Sequence, residues 1–226
     1  TSLETMQFVG SVGPVPDAAS YRTAVERVFG AASAERILTQ YPVSAYATPR
    51  AAMVQLTTDG LFTCQSRRIA RVLSQAQTAP VYRYFFEHAL DNDAELKALG
   101  AVHTVEHAFF FPWRGSYRPT PTDLAVQRLL LTHWVQLAAS GQAGSGPAGA
   151  WAPVTPGDRA LHIGASPRLQ PDDGAAHCDF WDTVQLPWPH LLAQCRYARA
   201  IASELLTLAL HAPTPRPCPA SCPSPC

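Results

Sequence analysis

The sequence predicts an α/β fold in which helices outnumber strands and the strands complete only part of a sheet. Two observations carry this. Apolar residues recur at helical spacing in several windows, whereas only residues 80–88 and 160–163 have the β-branched and aromatic composition of strands. These strand segments also lie far apart in the chain, and two or three strands make a poor sheet alone. The expectation is a set of about four to six helices at the edge of a larger α/β sheet, with the other strands upstream and outside this chain.

The elements follow in order. Asp17 is a good N-cap for a helix with Tyr21, Val25, Val28 and Phe29 on one face and Gly30 as its stop. A short helix is expected from Ser33 to about Gln40, ending before Tyr41-Pro42. Thr48-Pro49 places proline at the first position of a third helix, which runs to about Thr58. From Asp59 a longer helix shows Phe62, Ile69, Val72 and Leu73 at helical spacing, with Arg67, Arg68 and Arg71 as a solvated or ion-paired face. The strand at 80–88 comes next, then a loop or short turn over 91–97. Proline at 119 and 121 breaks the chain before an amphipathic helix from about Asp123 to Ser140, with Leu130, Trp134 and Leu137 on one face. Residues 141–149 read as a flexible loop of small residues, and 182–211 as mostly helical after Pro187 and Pro189. The segment 212–226 holds six prolines and is expected to be extended or disordered.

Composition narrows the classes of function. Lys+Arg and Asp+Glu balance at 17 each, which argues against a general nucleic-acid or acidic-membrane surface. No apolar run approaches the roughly 20 residues of a membrane span. The first residues have neither a basic nor an apolar stretch of the kind that opens a signal peptide. Of the six cysteines, Cys64, Cys178 and Cys195 lie in patterned sequence, while Cys218, Cys222 and Cys226 sit among the prolines. Two distant cysteines in patterned segments suit one long-range disulfide and an oxidising compartment.

The segment 100–111, Gly-Ala-Val-His103-Thr-Val-Glu106-His107-Ala-Phe-Phe-Phe, supports two chemistries. His103, Glu106 and His107 form H-x-x-E-H, in which two imidazoles one helical turn apart hold zinc and the Glu activates water. That reading needs a third protein ligand well downstream, and Glu204 is the one glutamate after Glu106, with Asp172 or Asp173 as poor substitutes. The other reading makes His103 the general base of a serine esterase, on a loop anchored by the apolar run that follows.

Five blocks, taken in order, resemble the C-terminal part of a type-B carboxylesterase, the α/β-hydrolase family that includes the cholinesterases. Thr58-Asp-Gly-Leu-Phe-Thr-Cys64-Gln-Ser-Arg67-Arg-Ile-Ala-Arg71 is similar to a family helix carrying Phe and Cys. Val81-Tyr-Arg-Tyr-Phe-Phe-Glu-His88 is similar to a late core strand. Gly100-Ala-Val-His103-Thr-Val-Glu106 matches the family's G-x-x-H-x-x-E. Trp134-Val-Gln-Leu-Ala-Ala-Ser-Gly141 resembles W-x-x-F-A-x-x-G, with Leu for Phe. Trp151-Ala-Pro-Val, Leu161-His-Ile and Cys178-Asp-Phe-Trp181-Asp loosely reproduce its last blocks.

The resemblance implies that residues 1–211 are the C-terminal portion of an esterase domain, with 212–226 a separate tail. It implies a carboxylic ester hydrolase with a Ser-Glu-His triad, a small-molecule ester substrate, and no cofactor or metal. His103 takes the place of the catalytic base. Glu4, in Thr1-Ser-Leu-Glu4-Thr, stands where the triad acid is expected and would hold the imidazole's tautomer. Glu106 is expected to hydrogen-bond near the site, and Phe109, Phe110, Phe111 and Trp113 to pack in the core or line an acyl pocket. Cys64 and Cys178 occupy the positions of a family disulfide, which implies a secreted or periplasmic protein.

One departure outweighs these matches. The family's nucleophile lies in G-x-S-x-G, ahead of acid and base in the chain, and this sequence contains no such motif. Neither Ser11 nor Ser145, each beside glycine, sits on an expected strand-to-helix turn. An N-terminal esterase half is therefore the expected partner, supplying nucleophile and oxyanion hole. The alternative is a cholinesterase-like binding domain without catalysis.

Overall fold

Local capping signals set the helix starts. The computed structural model describes residues 12–113, 115–154, 159–171 and 175–185. Helix α1, Ala18–Phe29, begins at a reciprocal capping box between Asp17 and Ser20 and buries Tyr21, Ala24, Val25, Val28 and Phe29. Gly30, at φ +81°, turns the chain directly into α2, Ala31–Gln40. Helix α3, Pro49–Thr58, has the Thr48 hydroxyl as its cap and Pro49 at its first position.

No break separates α3 from the next helix. A π-helical turn, Asp59–Thr63, carries the axis into α4, Cys64–Ala76. Gly60 in that turn lets the chain meet an indole: a Cβ there would stand 2.6 Å from a Trp181 ring carbon. Trp181 ends α7, Ala175–Trp181, a short helix that lies outside the expected helical segment. Residues 182–183 form a turn, so helix is absent from the described part of the 182–211 segment. The rest of that segment and the 212–226 tail lie outside the described residues.

The α4–α7 contact is where the structure departs most from helical patterning. Ile69, Val72 and Leu73, the expected inward face, are 59%, 58% and 43% exposed, while Arg67 is only 4% exposed. Arg67 pairs with Asp179 at 3.1 Å. Arg68 pairs with Asp182 at 2.9 Å and donates to the Trp181 carbonyl. The Cys64–Cys178 disulfide joins the same two helices. The amphipathic pattern is real, but α7 covers the charged side.

Two hydrophobic clusters result. The first gathers α1 to α4 around Tyr41, Trp181 and the disulfide. Within it Asp59, only 5% exposed, accepts hydrogen bonds from Tyr41, Gln55 and His177 at 2.9, 2.9 and 3.0 Å. The second joins a small sheet to α6, Pro121–Ser140, through Phe109, Leu130, Trp151, Leu161 and Ile163.

The sheet contains β1, Tyr84–Phe86; β4, Arg159–Ile163; and β5, Arg168–Pro171. Strand β4 is central, parallel to β1 and antiparallel to β5, with Tyr84 opposite Leu161 and Phe86 opposite Ile163. Strand β1 is shorter than the expected 80–88. Even so, bonds from Val154 N to Val81 O and from Glu87 N to Ile163 O keep its flanks tied. Its other edge has no strand partner among the described residues. The expected loop at 141–149 closes as a hairpin of β2, Ser145–Gly146, and β3, Gly149–Ala150. The expected turn at 91–97 contains α5, Ala94–Leu99, capped by Asp93. Among the described residues, no helix is long and apolar enough to cross a membrane.

Candidate active site

The site is built on the loop between β1 and α6. After α5 the chain bends at Gly100, φ +74°, and reaches His103. Thr104 follows at φ +73°, the one described residue other than glycine in the left-handed region. A β-branched residue there costs about 1–2 kcal/mol, so the fold holds this bend against its local preference. A 3-10 turn, Val105–Phe109, then carries Glu106 and ends on fully buried Phe109.

His103 is half-buried, with its ring 4.8 Å from that of Phe62 and tilted by 44°. A half-open cleft of about 240 Å³ lies beside them. The π-turn and the start of α4 contribute Phe62, Thr63 and Ser66 to its wall, β1 and its flank contribute Arg83, Tyr84, Phe85 and Phe86, and the loop contributes His103 and Glu106. Burial pushes the Tyr84 hydroxyl pKa up, and the nearby Glu106 carboxylate adds to this. The cleft thus presents one imidazole and one carboxylate against aromatic walls.

A separate polar cluster fixes the base of the loop. His88, at the end of the β1 flank, donates from Nε2 to Asp123 Oδ1 at 2.6 Å. Asp123 is fully buried in the first turn of α6. Its other oxygen accepts from the Tyr117 hydroxyl at 2.8 Å and the Thr120 amide at 2.7 Å. Burial pushes the Asp123 pKa up, but the hydrogen bonds from Thr120, His88 and Tyr117 outweigh this and hold it below the ordinary carboxylate value. Glu87, next to His88, points elsewhere and pairs with His162 and Arg168.

The zinc geometry fails on the backbone. Left-handed Thr104 separates His103 from the helical turn, and His107 is exposed, so the two imidazoles do not share one helical face. Among the described residues, no three His, Cys, Asp or Glu side chains are grouped to hold a metal ion.

The structure brings His103 and Glu106 into one cleft and joins Cys64 to Cys178. Glu4, the candidate acid, lies outside the described residues. The phenylalanine run, expected to pack in the core or line an acyl pocket, takes the core course at Phe109 and lines none of the cleft wall. Phe109 is core, Phe110 packs on Trp134 at 5.3 Å, and Phe111 is 68% exposed. Phe62 and Phe85 take that place, and sequence patterning had left both as ordinary element residues. The His88–Asp123 pair was also missed, although the Thr120-Pro-Thr-Asp123 capping box is a local sign that Asp123 has a fixed task.

A protein-family model, that of the carboxylesterase family, matches residues 15–181. An 80-residue stretch is 32% identical to the "Crystal protein" of Dictyostelium discoideum, covering 35% of this chain. That match spans 14% of the length of this curated relative.

Proposed function

The chain belongs to the carboxylesterase family, and from that premise we propose that it is the C-terminal portion of a type-B carboxylesterase of α/β-hydrolase fold, with His103 as its general base. One observation carries the reading: the G-x-x-H-x-x-E loop holds His103 and Glu106 together in an aromatic cleft beside the edge of β1 that has no strand partner among the described residues. His103 takes the proton of a serine as that serine attacks an ester carbonyl, and returns it to the leaving alcohol. Glu4 orients His103 and stabilises the imidazolium, while Glu106 hydrogen-bonds at the margin of the site. The serine and the oxyanion hole come from an N-terminal esterase half, which docks along β1 and the apolar face of α4. Ile69, Val72 and Leu73 on that face are 59%, 58% and 43% exposed, which suits a covering partner. The disulfide supports a secreted or periplasmic location.

The test uses a fluorophosphonate probe and a short-chain p-nitrophenyl ester. The chain alone is expected to take no label and to match its His103→Ala variant in hydrolysis. Co-expression with the G-x-S-x-G half of a family member is expected to restore both labelling and turnover, and His103→Ala to abolish the turnover. Ester hydrolysis that persists in His103→Ala refutes the assignment of the base.

A further inference from the structure

We propose that the buried His88–Asp123 pair is a positioning clasp for the loop over residues 89–120, and that it determines where His103 stands. The proposal rests on the reading of His103 as the base for its catalytic meaning, but not for its geometry.

The pair closes the loop at its two ends. His88 immediately precedes it and Asp123 follows it by three residues, and their side chains are 6% and 0% exposed. The Tyr117 hydroxyl and Thr120 amide, both from the loop's return, converge on the same carboxylate. Asn92 links the outgoing and returning arms directly, donating to the Arg118 carbonyl at 2.7 Å. Gln127 on α6 donates to the Phe111 carbonyl at 2.8 Å. These bonds leave the loop little freedom at its base.

The influence on His103 passes through Phe109. The His88 ring stands edge-on to Phe109, with centroids 5.5 Å apart and planes at 80°. Phe86 and Trp113 hold other sides of the Phe109 ring at 5.2 and 5.0 Å. Phe109 closes the 3-10 turn that begins immediately after His103-Thr104. A shift of Phe109 therefore moves the strained Thr104 bend and the imidazole before it. Hydrogen-bonded to Asp123, the His88 imidazole also has a fixed orientation, so one face of the Phe109 pocket is rigid. Asp123 is the carboxylate that faces His88, and the groups packed against its ring are otherwise the aromatic Phe86 and Phe109. A buried carboxylate bound this way loses most if its partner is removed.

The experiment compares three variants of the chain by amide hydrogen exchange and by the NMR chemical shifts of the His103 ring. Asp123→Asn keeps the volume but removes the charge that His88 meets. His88→Gln keeps a donor but removes the ring beneath Phe109. Val25→Ala, in the cluster around α1 to α4, serves as a control for general loss of stability. Exchange over residues 102–109 is expected to rise at least about tenfold in the first two variants, with the His103 ring resonances displaced from their parent positions. The control should lower Tm and leave both readouts in place. The clasp is refuted if Asp123→Asn and His88→Gln lower Tm while 102–109 and His103 behave as in the parent chain, or if Val25→Ala disturbs them equally. Should Asp123→Asn not fold, Tyr117→Phe removes a single donor from the same carboxylate and carries the same comparison. Because neither readout needs turnover, failure of the esterase reading would leave this result intact.

Discussion

Removing the Cys64–Cys178 bridge, by replacing both residues with alanine, should cost the fold several kcal/mol. The two cysteines are 114 residues apart. In the chain-entropy treatment, closing a loop of that length removes enough disorder from the unfolded chain to stabilise the fold by about 4.8 kcal/mol at 25 °C. Strain and residual structure usually reduce this, and native bridges deliver about 2–5 kcal/mol. A unit the size of the matched region, residues 15–181, has an unfolding entropy of roughly 350 cal/mol/K. The expected fall in Tm is therefore about 6–14 °C. The Arg67–Asp179 and Arg68–Asp182 pairs act only in the folded state, so they cannot restore the lost restraint on the unfolded chain. Far-UV circular dichroism during heating, with and without reductant, measures the effect. Parent protein unfolded and refolded in reductant should melt with the double variant, and the variant should ignore reductant. A fall smaller than about 3 °C would refute the reasoning, because it would mean the loop is already restrained in the unfolded state.

Three more predictions follow from named geometry. Thr104→Gly removes a β-branched residue from φ +73° and should stabilise the chain by about 0.5–1 kcal/mol after the entropy cost of glycine; denaturant melts that show a loss would place the bend under no strain. The Asp123 pKa is depressed in the fold, so its contribution is complete above the unfolded value of about 3.9 and is lost as pH falls through the lower folded value. Asp123→Asn should flatten the stability profile below about pH 4, and a variant with the parent's full acid slope would contradict the assignment. Finally, Ile69→Gln with Leu73→Gln should leave Tm within about 2 °C of the parent and reduce binding of an apolar dye. A large loss of stability would show that this face of α4 is covered.

Much of the fold was legible because the relevant signals are local. Asp17 and Thr48-Pro49 each bring an oxygen acceptor or a preset φ to a helix start, and they do so without help from distant residues. The G-x-x-H-x-x-E match over Gly100–Glu106 marked His103 as the candidate base through the family resemblance. The orientation of α4 was not legible. An amphipathic pattern says that two faces differ, but not which one meets a partner. Here the disulfide and Asp179 hold α7 against the arginine side. The cleft wall was equally hidden, since Phe62 precedes His103 by a long stretch of sequence and meets it only through the packing of the π-turn.

The amino-acid sequence by itself determined the starts of α1 and α3 and contains no G-x-S-x-G motif, while the family resemblance pointed to His103 as a candidate base and to Cys64 and Cys178 as a pair. The helix starts follow from short-range capping geometry. Tertiary structure alone decided that Arg67 is buried while Ile69 is exposed, that Phe109 fills the core rather than the cleft, and that His88 meets Asp123. Such pairings depend on which surfaces the chain brings together, and burial free energy does not favour one apolar or charged face until its neighbour is in place.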